Sequence, residues 1–126
     1  MEKKDIGRRE DIELLVERFY DKVRKNETLG YIFDDIIRID WKHHIPIIVD
    51  FWETILLDTG SYTRNAMGEH FKVDQLVRLE PHHFNTWLGL FDSTVDENFM
   101  GKNAELAKKR AHAIAALIQL KLQQTR

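Results

Sequence analysis

Apolar and aromatic residues recur at helical spacing through most of the chain. Ile12, Leu15, Val16, Phe19, Tyr20 and Val23 stand at i, i+3, i+4, i+7, i+8 and i+11 behind Asp11. This is the pattern of one buried helix face behind an acidic N-cap, and it predicts a helix from Asp11 to about Lys25 that yields at Asn26 to Gly30. Tyr31, Ile32, Phe33, Ile36 and Ile37 then suggest one or two helical turns, and Asp40 is placed to cap a helix beginning at Trp41. In that helix positions 44, 48, 51 and 55 share one side, while Ile45, Val49, Trp52 and Leu56 form an adjoining stripe. Two apolar stripes predict a helix that is nearly buried. Pro46 has no N–H for the carbonyl four residues back, so it is expected to mark the first regular turn or to bend the helix. His44 then lies at a disturbed helix entrance.

Asp58 to Gly68 reads DTGSYTRNAMG, a run of turn-forming residues longer than a simple connection needs. A brief segment holding His70 and Phe71 follows. Pro81 suits the first turn of a helix carrying Phe84, Trp87, Leu88 and Phe91. From Asn103 to Gln124, Ala104, Ala107, Ala111, Ile114, Ala115, Ile118 and Leu122 share one face, and the small residues early in it admit a close neighbouring helix. No run keeps strand alternation for long, and neither internal repeats nor low-complexity tracts occur. The expected class is all-α.

Composition narrows this picture. A chain of 126 residues is expected to form one domain able to bury roughly two-thirds of its surface, with residues 1–10 as a flexible or short helical extension. It is 43% apolar and 32% charged with 2 Pro and 6 Gly, which suits a helix-rich globule better than a turn-rich sandwich. The net charge of -2 and the even spread of Lys and Arg argue against nucleic acid as a partner; Lys108, Lys109 and Arg110 read as one solvated helix face. No stretch approaches the length of a membrane span. The polar start, Met1 to Asp11, lacks the apolar run of a secretory signal, so the cytoplasm is the expected compartment. Cysteine is absent, which excludes disulfides, thiolate zinc sites, iron–sulfur clusters and Cys-linked haem.

Six histidines remain as candidate ligands. No two have the i, i+4 spacing of a zinc-binding helix, and the adjacent pairs His43–His44 and His82–His83 would point about 100° apart on a helix. His43, His82, His83 and His112 are therefore read as solvent-facing or hydrogen-bonded. His70 differs, because it follows a long loop and can approach a cofactor from the side. Tyr20 and Trp87 each carry a polar atom on an aromatic body, and buried polar atoms need partners. Two readings stay open on the residues alone. One is a haem pocket, with an imidazole on one side of the iron and phenol and indole donors for a diatomic ligand on the other. The second is a haem-free helical interaction module whose aromatics simply fill the core.

A resemblance bears on that choice. Phe19-Tyr20, Leu29-Gly30-x-Ile-Phe33, Trp41-x-x-His44-x-Pro46, Phe51-Trp52 with Leu56-Leu57, and His70 occur in the order found in the truncated haemoglobins. Trp87-Leu-x-Leu-Phe91, Thr94-Val-Asp-Glu97 and Arg110-Ala-x-x-Ile114-Ala115 resemble the third bacterial group, so the similarity runs from about residue 11 to residue 120. Two positions depart from the family pattern: Tyr31 follows the glycine, and Ala66 precedes Met67, where the family has proline. The resemblance implies a shortened globin, a two-over-two helical sandwich around non-covalent haem b. It implies His70 as the proximal iron ligand, Tyr20 and Trp87 as donors on the ligand side and His44 as a gate there. Phe33, Ile48, Phe51, Trp52 and Met67 would line the cofactor, with Tyr62 and Arg64 in the long loop as candidates for its propionates. Oxygen or nitric oxide would be the ligand. An enzymatic version, nitric oxide dioxygenation or peroxidase-like chemistry, would need a separate reductase, since no flavin or nicotinamide fingerprint is present.

Overall fold

The computed structural model describes residues 3–60 and 78–125. Among them are four long helices, α1 (Arg9–Lys25), α2 (Trp41–Leu57), α3 (Pro81–Asn98) and α4 (Lys102–Gln124), a π-helical turn at Ile32–Ile36, and no strand. The loop residues Tyr62, Arg64 and Met67, together with His70, lie outside the described residues.

The first helix begins two residues earlier than expected, so Asp11 is its third residue rather than its cap. From there its carboxylate reaches back to accept the N–H groups of Gly7 at 2.9 Å and Arg8 at 3.2 Å, and it pairs with Lys4 at 2.6 Å. Donors that a helix start leaves unsatisfied are thereby paired. Burial opposes the charge on Asp11, but Lys4 and the two N–H donors outweigh it and hold the carboxyl below its usual pKa. The predicted stripe of α1 is buried as a unit. After Lys25, the Asn26 side-chain oxygen accepts the N–H groups of Thr28 and Leu29. Gly30 then passes so close to the Arg24 carbonyl that a Cβ there would overlap it. In the following turn the Ile37 N–H reaches the Ile32 carbonyl at 2.8 Å, an i to i+5 bond that widens the helix.

Asp40 stands at the cap of α2, but its backbone does the capping: its carbonyl accepts the His43 and His44 N–H groups, while its side chain makes no cap bond. The helix continues through Pro46, which is exposed. Only one of the two expected stripes is enclosed, and only beyond half-buried Ile45. Val49, Trp52 and Leu56 are buried, whereas His44, Ile48, Phe51 and Ile55 are half-buried. The expectation of a nearly buried helix is thus corrected. Among the described elements α2 packs on α1 and touches α4, and that encloses one flank. Arg9 of α1 reinforces this flank, its guanidinium 2.9 Å from Asp50 and 3.1 Å from Glu53.

Pro81 occupies the first turn of α3 as expected. Helices α3 and α4 pack together, α1 crosses α3, and α2 meets α4, which makes a two-over-two sandwich with one pair laid across the other. Ala104, Ala107, Ala111 and Ala115 keep α4 close to its neighbours. Phe84, Ala115, Ile118 and Leu122 form a second, smaller core toward the end of α4.

Residues 3–8 are non-helical and tied down, unlike the loose or helical extension expected from their polar composition. Ile6 is fully buried. The Asp5 carboxylate accepts the N–H groups of Asn103 and Ala104, each at 2.9 Å, and so caps α4 from the other end of the chain. Gly101 makes the room, since a Cβ there would stand 2.5 Å from Asp5 Cγ. No helix among the described residues is long and apolar enough to cross a membrane.

Candidate functional site

Three of the residues singled out from the sequence meet where α1, α2 and α3 converge. Phe19 and Tyr20 leave α1 together, with ring centroids 4.8 Å apart. The Tyr20 ring packs beside Trp41 at 5.3 Å, His44 at 5.9 Å and Phe33 at 6.0 Å. The Trp87 indole N–H is also directed at the Tyr20 hydroxyl. Burial pushes the Tyr20 phenol up to about 12, and the Trp87 hydrogen bond offsets only part of that rise. Tyr20 therefore keeps its proton, and remains a donor, throughout the neutral range.

Phe19 leads into a tighter assembly. Trp87 and Phe91 each lie edge-on to it at 5.2 Å. Phe91 stacks on Trp52 at 4.9 Å and on Trp87 at 5.4 Å. Trp52, which the resemblance placed beside a cofactor, is buried in this stack. Phe33, Ile48 and Phe51 are half-buried, as is His44, and the Phe51 ring meets Trp52 edge-on at 5.3 Å. The local geometry explains the grouping. Positions 44, 48 and 51 share a face of α2, and the π-helical turn brings Phe33 within ring contact of both Tyr20 and Trp41.

Sequence reasoning passed over Trp41 as a site residue, although it stands three positions before His44 and so shares its helix face. Its ring is 5.8 Å from His44 and 5.8 Å from Phe33, and its indole N–H donates to Asp34 at 2.8 Å. Arg24 pairs with Asp34 at 3.4 Å and places its guanidinium over the Trp41 ring, 5.0 Å from the centroid. Nothing in the residue pattern signals Asp34, because its direction depends on the wide turn. Outside this cluster a groove of about 460 Å³ runs between α1 and α2, with Glu13, Glu17, Trp41 and Ile45 in its walls.

The remaining histidines among the described residues have structural partners or face solvent. His83 is buried, its Nδ1 accepting the Glu80 N–H at 2.8 Å. Burial is the leading cause that lowers its pKa, and neighbouring His82 adds to it. His112 lies 2.7 Å from Asp92, and His43 is exposed. Among the described residues no group of three or more His, Asp or Glu side chains is placed to hold a metal ion.

No family model matches the chain. It is 33% identical, over 113 residues covering 87% of either chain, to the group 3 truncated hemoglobin ctb of Campylobacter jejuni. The crystal structure of a group III truncated hemoglobin from Campylobacter jejuni superposes with a TM-score of 0.84 at 32% identity, covering 96% of this chain and 95% of that one.

Proposed function

The chain belongs to the group III truncated haemoglobins, globins that carry haem and bind small ligands, and on that premise we propose that it holds non-covalent haem b through His70 and binds oxygen or nitric oxide beside Tyr20, Trp87 and His44. The convergence of those three side chains from three helices is the observation that carries this reading.

The described residues fit one side of such a group. Ile48 and Phe51 present half-buried apolar surface along the same face of α2 as His44, the kind of wall a porphyrin requires. Polar atoms cluster at the Tyr20 end of this face. Haem, if bound, would be held by His70 and would supply an iron able to take up a diatomic molecule.

The chain's own residues then determine how that molecule is held. Tyr20 O–H is a donor in an apolar setting, and such a donor stabilises a ligand that carries partial negative charge by about 1 to 3 kcal/mol, while the Trp87 N–H on the Tyr20 oxygen strengthens that O–H as a donor. Because the phenol is pushed up to about 12, it never competes as an anion near neutral pH. His44, half-buried in the first turn of α2 and edge-on to Tyr20, gates access in this reading. Slow oxygen release follows from the two donors acting in series.

Titration of the purified chain with haemin tests the reading. One equivalent should bind, raise the unfolding temperature and give, after reduction, the absorption of iron bound to a single imidazole. His70→Ala should abolish that axial signature. Unchanged stability on adding haemin would instead favour an interaction module with a purely structural aromatic core.

A further inference from the structure

Tyr20 and His44 meet edge-on, and a third ring, Trp41, packs on each of them and on Phe33. Trp41 is half-buried. One side of it meets this aromatic group, while another part of it lines the groove of about 460 Å³ between α1 and α2. Apolar contact alone therefore leaves the indole a way out, into open space on the groove side. Two contacts oppose that movement. The Asp34 carboxylate accepts the indole N–H at 2.8 Å, a charge-assisted bond of the stronger class, and Arg24, paired with Asp34 at 3.4 Å, lies over the ring. The Arg24–Asp34 pair is itself about half exposed, so its direct worth to stability is small. Its geometric effect is larger, because it turns the carboxylate toward the indole.

We infer that Asp34, oriented by Arg24, is a positioning residue that latches Trp41 against Tyr20 and His44 and so sets where the ligand-side donors stand. The inference rests on the haem reading only for its effect on ligands; the latch itself is a property of the chain. It assigns the π-helical turn a role, since the turn carries both Phe33 and Asp34 to the same indole. It also makes Trp41 the partition between the donor pair and the outer groove.

The test uses the full chain, haem-loaded, as wild type, Asp34→Asn, Asp34→Leu and Trp41→Phe. Proton NMR follows the Trp41 indole N–H, assigned by its loss in Trp41→Phe, and the ring-to-ring contacts of position 41 with Tyr20 and His44. Carbon monoxide association and the stretching band of the bound molecule report the donors. In Asp34→Leu the indole N–H should exchange freely, the ring contacts weaken, the band broaden and association change by about three- to tenfold, the scale of one lost hydrogen bond. Asp34→Asn keeps an acceptor oxygen but gives up the charge and the Arg24 ion pair, so it should fall between wild type and Asp34→Leu. Should Asp34→Leu fail to fold, Trp41→Phe, which keeps a ring but lacks the N–H, should loosen the same contacts. Where both fold, the double variant should add nothing to either single change. Retained N–H protection and ring contacts in Asp34→Leu would overturn the latch, as would Asp34→Asn disturbing the site as much as Asp34→Leu, or additive effects in the double variant. A chain that takes up no haem defeats the functional reading instead, and the NMR measurements still decide the latch.

Discussion

Phe19 and Tyr20 are neighbours in sequence, yet they enter two aromatic assemblies of different build. Around Phe19 the rings of Trp52, Trp87 and Phe91 stack or meet edge-on at 4.9 to 5.4 Å, and Phe19, Trp52 and Phe91 are at most 3% exposed. Around Tyr20 the rings of Phe33, Trp41 and His44 stand 5.3 to 6.0 Å away, all three half-buried and two of them carrying polar atoms. Dense apolar stacking contributes stability through area and dispersion. The looser group sacrifices some of that contact for polar donors. Trp87 belongs to both, its face in the stack and its N–H directed at Tyr20, so the rigid assembly orients a donor in the working one.

The largest effect should come from the rigid side. Phe91→Ala is expected to cost about 3 to 5 kcal/mol in denaturant unfolding of the haem-loaded chain, against less than half of that for Phe33→Ala; equal losses would erase the distinction. Next is the alkaline limb. The Tyr20 phenol is pushed up to about 12 by burial, so the folded state holds its proton more tightly than the unfolded chain. This contribution is complete below the ordinary phenol range and disappears as pH rises from about 10 to about 12. Roughly 2 to 3 kcal/mol should be lost, and Tyr20→Phe should flatten that limb.

At neutral pH, Tyr20→Phe should act mainly on function. Oxygen should dissociate about tenfold faster in stopped-flow displacement, the effect of one donor, while stability changes by no more than about 1 kcal/mol. The smallest effect lies outside both assemblies. His83 must be neutral to accept the Glu80 N–H, and its folded pKa is depressed. Its contribution is therefore complete above the ordinary histidine range near 6.5 and is lost as pH falls through the lower folded value. A loss of about 1 kcal/mol, one hydrogen bond, should appear in mildly acid unfolding curves. It should vanish in His83→Ala and leave the ligand kinetics untouched.

The helices were largely legible because each carries its own period. The α1 stripe from Ile12 to Val23, Pro81 in the first turn of α3 and the alanine face of α4 all stand where spacing placed them. Polar anchors were harder to read. Asp11 looks like a cap from its place before an apolar run, but it works from inside the helix because Arg9 and Glu10 are already helical. Asp5 caps α4 across a separation of 98 residues to Asn103, and no local pattern encodes such a bond. At the site, Tyr20, His44 and Trp87 were identifiable as aromatic or polar residues on apolar faces, and their order matched a family. The importance of Trp41 and Asp34 was hidden, because it depends on where a widened turn points.

The sequence by itself determined that the chain would form amphipathic helices and that, lacking cysteine, it could form no disulfide and no Cys-linked haem. It also determined which side chains bear donors. Only the tertiary structure decided which stripe of α2 is enclosed, that side chains at positions 20, 44 and 87 share one cluster, and that Asp34 accepts the N–H of the indole packed on Tyr20 and His44. The reason is physical: helical period is a property of neighbouring residues, whereas the separation of atoms on different helices depends on how the helices cross. A single π-helical turn is enough to redirect every side chain that follows it.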